Sequence, residues 1–155
     1  MKKCLLVVDD DPSVRKSLKR VLDGAGYYVL QASDGRDAEK QLANPRIDLL
    51  ILDLNMPHRN GWAVLEDVSA GYPFLPIIVI SGMEDPDDAL GLPVLAELMQ
   101  KPIEAPALLH KIEELLDETP EARLSRVFGS LEMDPPWEAR TGIRGNPNLA
   151  LQTLS

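Results

Sequence analysis

A chain of 155 residues, 45% of them hydrophobic, can bury one sizeable core with an appendage and is short for two full domains. Its 16 basic residues against 25 acidic ones leave a formal charge of −9, which repels nucleic acid and anionic lipid and argues against either as a direct partner. The single cysteine, Cys4, excludes an internal disulfide, and no apolar stretch approaches the roughly 20 residues that span a bilayer, so a cytoplasmic protein without membrane contact is expected.

The first apolar run, Cys4 to Val8, is continuous rather than alternating, as in a strand covered on both faces of a parallel sheet. Cys4 reads as buried filler within it. Val14, Leu18, Val21 and Leu22 recur at helical spacing and stop at Gly24 and Gly26, where a left-handed residue is expected to end the helix. Tyr28 to Ala32 reads as a second strand, and Ala38 with Leu42 marks a short helix ending before Asn44-Pro45. Leu49 to Leu52 is the third strand, followed by a helix carrying Trp62, Leu65 and Val68, and Ile77 to Ile80 is the fourth. Asp85 to Ala96 reads as a helix interrupted by Gly91 and Pro93, and Glu97 to Gln100 as a short fifth strand. Pro106 with Leu108, Leu109, Ile112, Leu115 and Leu116 makes a last helix with proline near its start. This alternation over residues 1–118 predicts a doubly wound parallel sheet with right-handed crossovers, whose function sits at the carboxyl ends of its strands.

Residues 119–155 differ in character. Four arginines balance four acidic side chains, so this tail is neutral and the −9 belongs to the first part. Thr119-Pro120-Glu121 is a helix start, and Leu124, Val127, Phe128 and Leu131 form one apolar stripe, so a helix over about 120–132 is expected to pack within the chain, with a partner-docking helix and a disordered tail as the alternatives. Asp134-Pro135-Pro136 and Asn146-Pro147-Asn148 predict irregular chain beyond it.

The strand ends carry the chemistry: Asp9, Asp10 and Asp11 after the first, Asp53 after the third, Ser81 after the fourth and Lys101 after the fifth. Carboxylates gathered at one place cannot all ionise without compensating charge. A divalent metal supplies it, and hard oxygen ligands without histidine or thiolate point to Mg²⁺. An EF-hand reading of the aspartate run fails, because Val14 stands where glycine is needed and Arg20 where the bidentate glutamate belongs. A cation and a hydroxyl aimed at the same spot suit a phosphoryl group in flight, whose transfer depends on positioning and charge neutralisation. A carboxylate is then a natural acceptor. His58, in a polar loop, and His110, on the last helix without a second histidine at ligand spacing, read as bystanders.

Val7-Val8-Asp9-Asp10-Asp11-Pro12, Leu52-Asp53-Leu54-Asn55-Met56-Pro57, Ser81-Gly82 and Lys101-Pro102 together resemble the signature blocks of response-regulator receiver domains, in order and over about residues 1–118. The resemblance implies a flavodoxin-like five-stranded sheet in order 2-1-3-4-5 flanked by helices. It implies that Asp53 accepts a phosphoryl group from the phosphohistidine of a histidine kinase or histidine phosphotransfer protein, or from a small donor such as acetyl phosphate. Asp10 and Asp53 would bind Mg²⁺ by carboxylate, Asn55 by its backbone carbonyl and Asp9 through water. Ser81 and Lys101 would hold the phosphoryl oxygens, with a cis Lys101-Pro102 bond.

Departures from the family pattern are specific. Relatives commonly place Tyr or Phe three residues before the lysine, where this chain has Leu98, and Val94-Leu95-Ala96-Glu97 replaces the usual run before the fifth strand. The fourth helix is therefore expected to be short or irregular. Asn55 and Met83 occupy places that in the family govern access of water to the acyl phosphate. A haloacid-dehalogenase-like phosphatase uses similar groups, but it puts its nucleophilic Asp-x-Asp on the first strand; here the order is reversed and Asn55 stands in place of the second Asp. The expected output is a switch in protein contacts with a downstream target, with a homodimer as a possible form. A docking module independent of phosphorylation, and the receiver part of a longer regulator, are the competing expectations.

Overall fold

The structure, a computed structural model, describes residues 2–44, 46–56, 61–82, 92–93 and 95–133, with side chains as far as Gly129. Five parallel strands, β1 (Cys4–Val8), β2 (Tyr28–Ala32), β3 (Ile47–Asp53), β4 (Ile77–Ser81) and β5 (Ala96–Gln100), form one sheet in the order β2-β1-β3-β4-β5. The described helices are α1 (Pro12–Gly24), α2 (Gly35–Leu42), α3 (Gly61–Gly71), α4 (Ala105–Asp117) and α5 (Pro120–Met133).

Alternate side chains of each inner strand enter different cores, which is why these runs are apolar without a break. Leu6, Val8, Leu50, Leu52 and Val79 pack under α2 and α3 with Ala38, Leu42, Val64, Leu65 and Val68. Leu5, Val7, Leu49, Ile51, Ile78 and Ile80 pack under α1 and α4 with Leu22, Leu108, Ile112 and Leu115. Each such leucine or isoleucine taken out of water contributes about 1.5–3 kcal/mol. Trp62 packs against the first of these cores, as its helical position predicts. The Cys4 thiol is buried, and burial pushes its pKa up, consistent with a packing role.

Local signals set the helix ends. The Asp11 carboxylate accepts the Ser13 amide at 2.8 Å and Pro12 occupies the first turn, so the third aspartate of the run starts α1. Gly26, at φ +94°, takes the left-handed conformation expected just past α1. Asp34 caps α2 through the Asp37 amide at 2.8 Å.

Three boundaries depart from the sequence expectation. β3 starts at Ile47 and runs through Asp53, so the acidic residue is the last member of the strand rather than the first of the loop. β4 likewise includes Ser81, which pairs with Gln100. β5 opens at Ala96, so that residue belongs to the strand and not to the helix expected over Asp85 to Ala96; positions 83–91 and 94 lie outside the described residues, as do His58 and the tail beyond Met133.

α5 forms where Thr119-Pro120-Glu121 predicts it, with the Thr119 hydroxyl accepting the Ala122 amide at 3.0 Å. Its packing corrects the single-stripe expectation. Val127 turns toward the body beside Leu95 and Ile77, whereas Leu124 and Phe128 face solvent. Polar groups hold the inner side: Arg123 donates to the Leu115 carbonyl at 3.3 Å, and Arg126 reaches Glu118 at 2.6 Å and Glu97 of β5 at 3.6 Å.

Candidate functional site

Strand register decides which side chains meet. Val8 lies level with Leu52 on β3, Asp53 with Ile80 on β4, and Ser81 with Gln100 on β5. The residues that end or follow each strand therefore share one edge of the sheet. The Leu54 amide donates to the Ile80 carbonyl and the Lys101 amide to the Ser81 carbonyl, both at 2.9 Å, continuing the ladder into the loops.

Asp53 is the centre of this edge. It is only 5% exposed, at the end of a strand whose other inner residues are aliphatic. A carboxylate there needs partners, and it has them. Oδ1 accepts the Asn55 backbone amide at 2.9 Å, and Oδ2 accepts Nζ of Lys101 at 3.1 Å. The lysine side chain keeps about two-fifths of its surface exposed, so its amine lies at the mouth of the site. The Lys101-Pro102 peptide bond is cis.

Asp9 is the second buried acid, 3% exposed. Burial pushes its carboxyl upward, the Asp11 amide donating to Oδ1 at 2.9 Å draws it down, and the charge and hydrogen bond of Asp53 raise it again, against the opposing pull of Lys101. The balance lies at about 6. The Asp9 backbone carbonyl is held by the Arg15 guanidinium, one turn into α1. Asp10 stands half-exposed at the same strand end, and Ser81 is fully buried at the end of β4.

Of the residues singled out from sequence, the structure thus joins Asp9, Asp53 and Lys101 directly, and sets Asp10, Asn55 and Ser81 on the same edge. Among the described residues, no three Asp, Glu, His or Cys side chains gather closely enough to hold a metal unaided. The donor set nonetheless fits Mg²⁺, which takes one or two carboxylates and keeps several waters. Among the described residues two buried acids face Lys101, and Asp9 is driven toward its neutral form by burial and then by the neighbouring Asp53, more than Lys101 offsets.

Two contributors escaped the sequence reading. The Asn55 side chain accepts the Gly82 amide at 2.7 Å and so ties the loop after β3 to the end of β4, besides any role of its carbonyl. Gly61 opens α3 against the backbone behind Asp53, where an added Cβ would lie 2.6 Å from Leu54 Cα and 3.1 Å from the Asp53 carbonyl oxygen. Asn60-Gly61 was the available signal, but a turn glycine and a close-approach glycine look alike in sequence.

Residues 5–113 match the family model described as the response regulator receiver domain. The chain belongs to this family. Receivers similar to it include a CheY-like receiver domain protein from Methanospirillum hungatei, at 28% identity and TM-score 0.68 over 76% of this chain and 95% of that one. The chemotaxis protein CheY4 of Vibrio cholerae is 30% identical, with TM-score 0.66 over 74% of this chain and 99% of its own. TrrA of Thermotoga maritima, a response regulator solved in complex with Mg²⁺-BeF, is 30% identical with TM-score 0.64, over 74% of this chain and 99% of that one. Among curated relatives, the response regulator MprA of Mycobacterium avium is 35% identical over 153 residues. That alignment takes in 95% of this chain and 66% of the relative, so the receiver described here spans just under two-thirds of that protein's length. The sheet order β2-β1-β3-β4-β5 is the one the receiver resemblance implies. Receivers of this family work with histidine kinases, and no helix among the described residues is long and apolar enough to cross a membrane.

Proposed function

We propose that this receiver takes a phosphoryl group onto Asp53 from the phosphohistidine of a histidine kinase or histidine phosphotransfer protein, in the cytoplasm, and thereby changes its protein contacts. The observation that carries the reading is a nearly buried carboxylate with Lys101 Nζ 3.1 Å from one oxygen and a second buried acid beside it.

Asp53 Oδ1 is fixed by the Asn55 amide, which leaves Oδ2, on the lysine side, to attack. The new O–P bond forms as the N–P bond of the donor breaks. The departing imidazole keeps that electron pair and takes up a proton. Lys101 then moves its charge from the carboxylate oxygen to the phosphoryl oxygens, and the Ser81 hydroxyl, at the end of the neighbouring strand, donates to them. Asp9, Asp10, Asp53 and the Asn55 carbonyl are the groups that would hold Mg²⁺. When bound, the ion supplies the charge that lets the acids ionise together and offsets that of the incoming phosphoryl. The fixed amides and lysine are already in place before the donor arrives, the preorganisation that makes such sites effective.

Incubation with acetyl phosphate and Mg²⁺, read by intact mass, tests the assignment. One phosphoryl adduct is expected on the native chain and none on Asp53→Asn. An adduct that survives the substitution, or no adduct at all, defeats it, and the second result favours a docking module that works without phosphate.

A further inference from the structure

We propose that Arg15 is a positioning residue for the Mg²⁺ site: its guanidinium fixes the peptide that joins Asp9 to Asp10 and so sets where both carboxylates stand, although its charge opposes a cation. This rests on the reading of that strand end as the metal site. The ladder that pairs β1 with β2 and β3 ends at Val8, so the backbone beyond it must find other partners. Asp9 finds one on each side. Its amide donates to the Ala32 carbonyl at 3.2 Å, and its carbonyl, in a residue only 3% exposed, accepts Nη1 of Arg15. The Asp11 amide closes on Asp9 Oδ1 at 2.9 Å, and the Asp11 carboxylate on the Ser13 amide at 2.8 Å. Those two contacts are local to the turn, whereas Arg15 reaches back to it from α1.

The guanidinium is spent on a neutral oxygen. Among the described residues no carboxylate pairs with Arg15, and the cation that acts on the Asp9 carboxyl is Lys101. The oxygen it holds is significant because the same peptide plane contains the Asp10 nitrogen. Fixing that plane fixes the chain on both sides of it, and Asp9 and Asp10 are the acids that flank it. Charge and position then act on Mg²⁺ in opposite directions. A positive group near the site repels the ion, so its removal by charge alone would tighten binding. Loss of a group that orients metal ligands loosens binding, by about 10–100-fold in sites of known energetics. Position outweighs charge here. Asp10 is half-exposed, so water and salt screen the repulsion, whereas the Asp9 carbonyl belongs to a buried residue that must move if its donor is lost.

Calorimetric titration of the full chain with Mg²⁺ tests this through the sign of the change. Arg15→Met removes donor and charge while keeping the stem and the preference for helix, and it should raise the dissociation constant for Mg²⁺ about tenfold or more. Lys16→Met removes an equal charge from the next, exposed position of α1 and should leave that constant at or slightly below the native value. Arg15→Gln, too short to reach the Asp9 carbonyl from α1, should reproduce the loss, so the result does not hang on the folding of one variant. The Mg²⁺ concentration for half-maximal phosphorylation by acetyl phosphate should rise in Arg15→Met, while the rate at saturating Mg²⁺ returns to near native. The amide nitrogen resonance of Asp10 should shift in Arg15→Met and stay in place in Lys16→Met. Binding by Arg15→Met as tight as native, or tighter, overturns the proposal alone. So does an equal loss in Lys16→Met, and so does an Asp10 resonance that Arg15→Met leaves unmoved. A native chain that binds no Mg²⁺ overturns it together with the metal assignment.

Discussion

The two buried acids set the behaviour of this receiver at the scale of single residues. The folded protein holds the Asp9 proton up to about pH 6, whereas the unfolded chain releases it near the usual 3.8. Stability from this group is therefore complete below pH 3.8 and is lost as pH rises through 6, the reverse of the ordinary salt-bridged carboxylate. Its ionisation at pH 7 costs on the order of 3 kcal/mol. Without Mg²⁺, Asp9→Asn should accordingly be more stable than the native protein to urea at pH 7, and the difference should fade at pH 4; a less stable variant at pH 7 would refute this balance. Addition of Mg²⁺ should reverse the order by favouring the ionised acid, and the native protein's affinity for the ion should fall steeply below pH 6. Lys101 acts on the other acid. Replacing it with alanine should slow phosphorylation by acetyl phosphate by about a hundredfold or more while leaving the fold intact, since in the proposed transfer it supplies positive charge where the transferred group gathers negative charge. A rate within a few-fold of native would remove Lys101 from the site. Asp9, Asp53 and Ser81 were legible in sequence because each follows or ends an unbroken apolar run, and parallel strands deliver such ends to one edge, whereas Lys101 follows the mixed strand Ala96–Gln100 and was legible through the Lys101-Pro102 pair. The split of roles within the aspartate run was not legible. Only packing shows that Asp11 caps α1 while Asp9 turns inward, since adjacent aspartates carry the same pattern signal.

At the scale of elements, glycine placement separates what local sequence can reveal from what it cannot. Gly24 closes α1 with open space around it, whereas Gly61 begins α3 pressed against Leu54 and Asp53 backbone atoms that have little freedom to retreat. Alanine at 61 should destabilise by about 1–3 kcal/mol, the usual range for overpacking, and should also slow phosphorylation by shifting the strand end that carries Asp53. Alanine at 24 should instead stabilise by roughly 0.5–1 kcal/mol through helix propensity. Paired urea melts decide the matter, and equal effects at the two positions would contradict the contact geometry. The strands and the order of elements could be read from sequence because burial on both faces removes polar residues from β1, β3 and β4 almost entirely. The precise ends of β3 and β4 could not, because Asp53 and Ser81 belong to the ladder by hydrogen bonding while their polarity marks them as loop. The α5 stripe was misjudged for a similar reason. Helical periodicity groups Leu124, Val127 and Phe128, but which of them meets the body depends on the arginines that pin the helix at Leu115, Glu118 and Glu97.

For the whole molecule, these attachments imply an uneven distribution of stability. The sheet is held by two aliphatic cores, whereas α5 is held by Val127 and by ion pairs of Arg126 in which the arginine remains about one-third exposed. Pairs of that kind contribute about 0–1 kcal/mol each, far less than the burial of several core leucines. α5 should therefore open without the sheet. In native-state hydrogen exchange its amides should report an opening free energy several kcal/mol below that of β1 and β3, whose amides should require global unfolding. Arg126→Ala should lower protection along α5 by up to about tenfold and leave β1 and β3 unchanged, because each element opens on its own. Raised salt should act in the same direction by screening the exposed pair. If instead α5 amides exchange as slowly as those of β3, or if the substitution lowers protection uniformly, the tail helix is part of the cooperative core and the ion pairs understate what binds it. Glu97 gives this a functional edge, since it lies on the strand that ends beside Lys101. Phosphorylation that shifts β5 would alter the hold on Arg126, and α5 protection measured with and without acetyl phosphate should then differ while that of β1 does not.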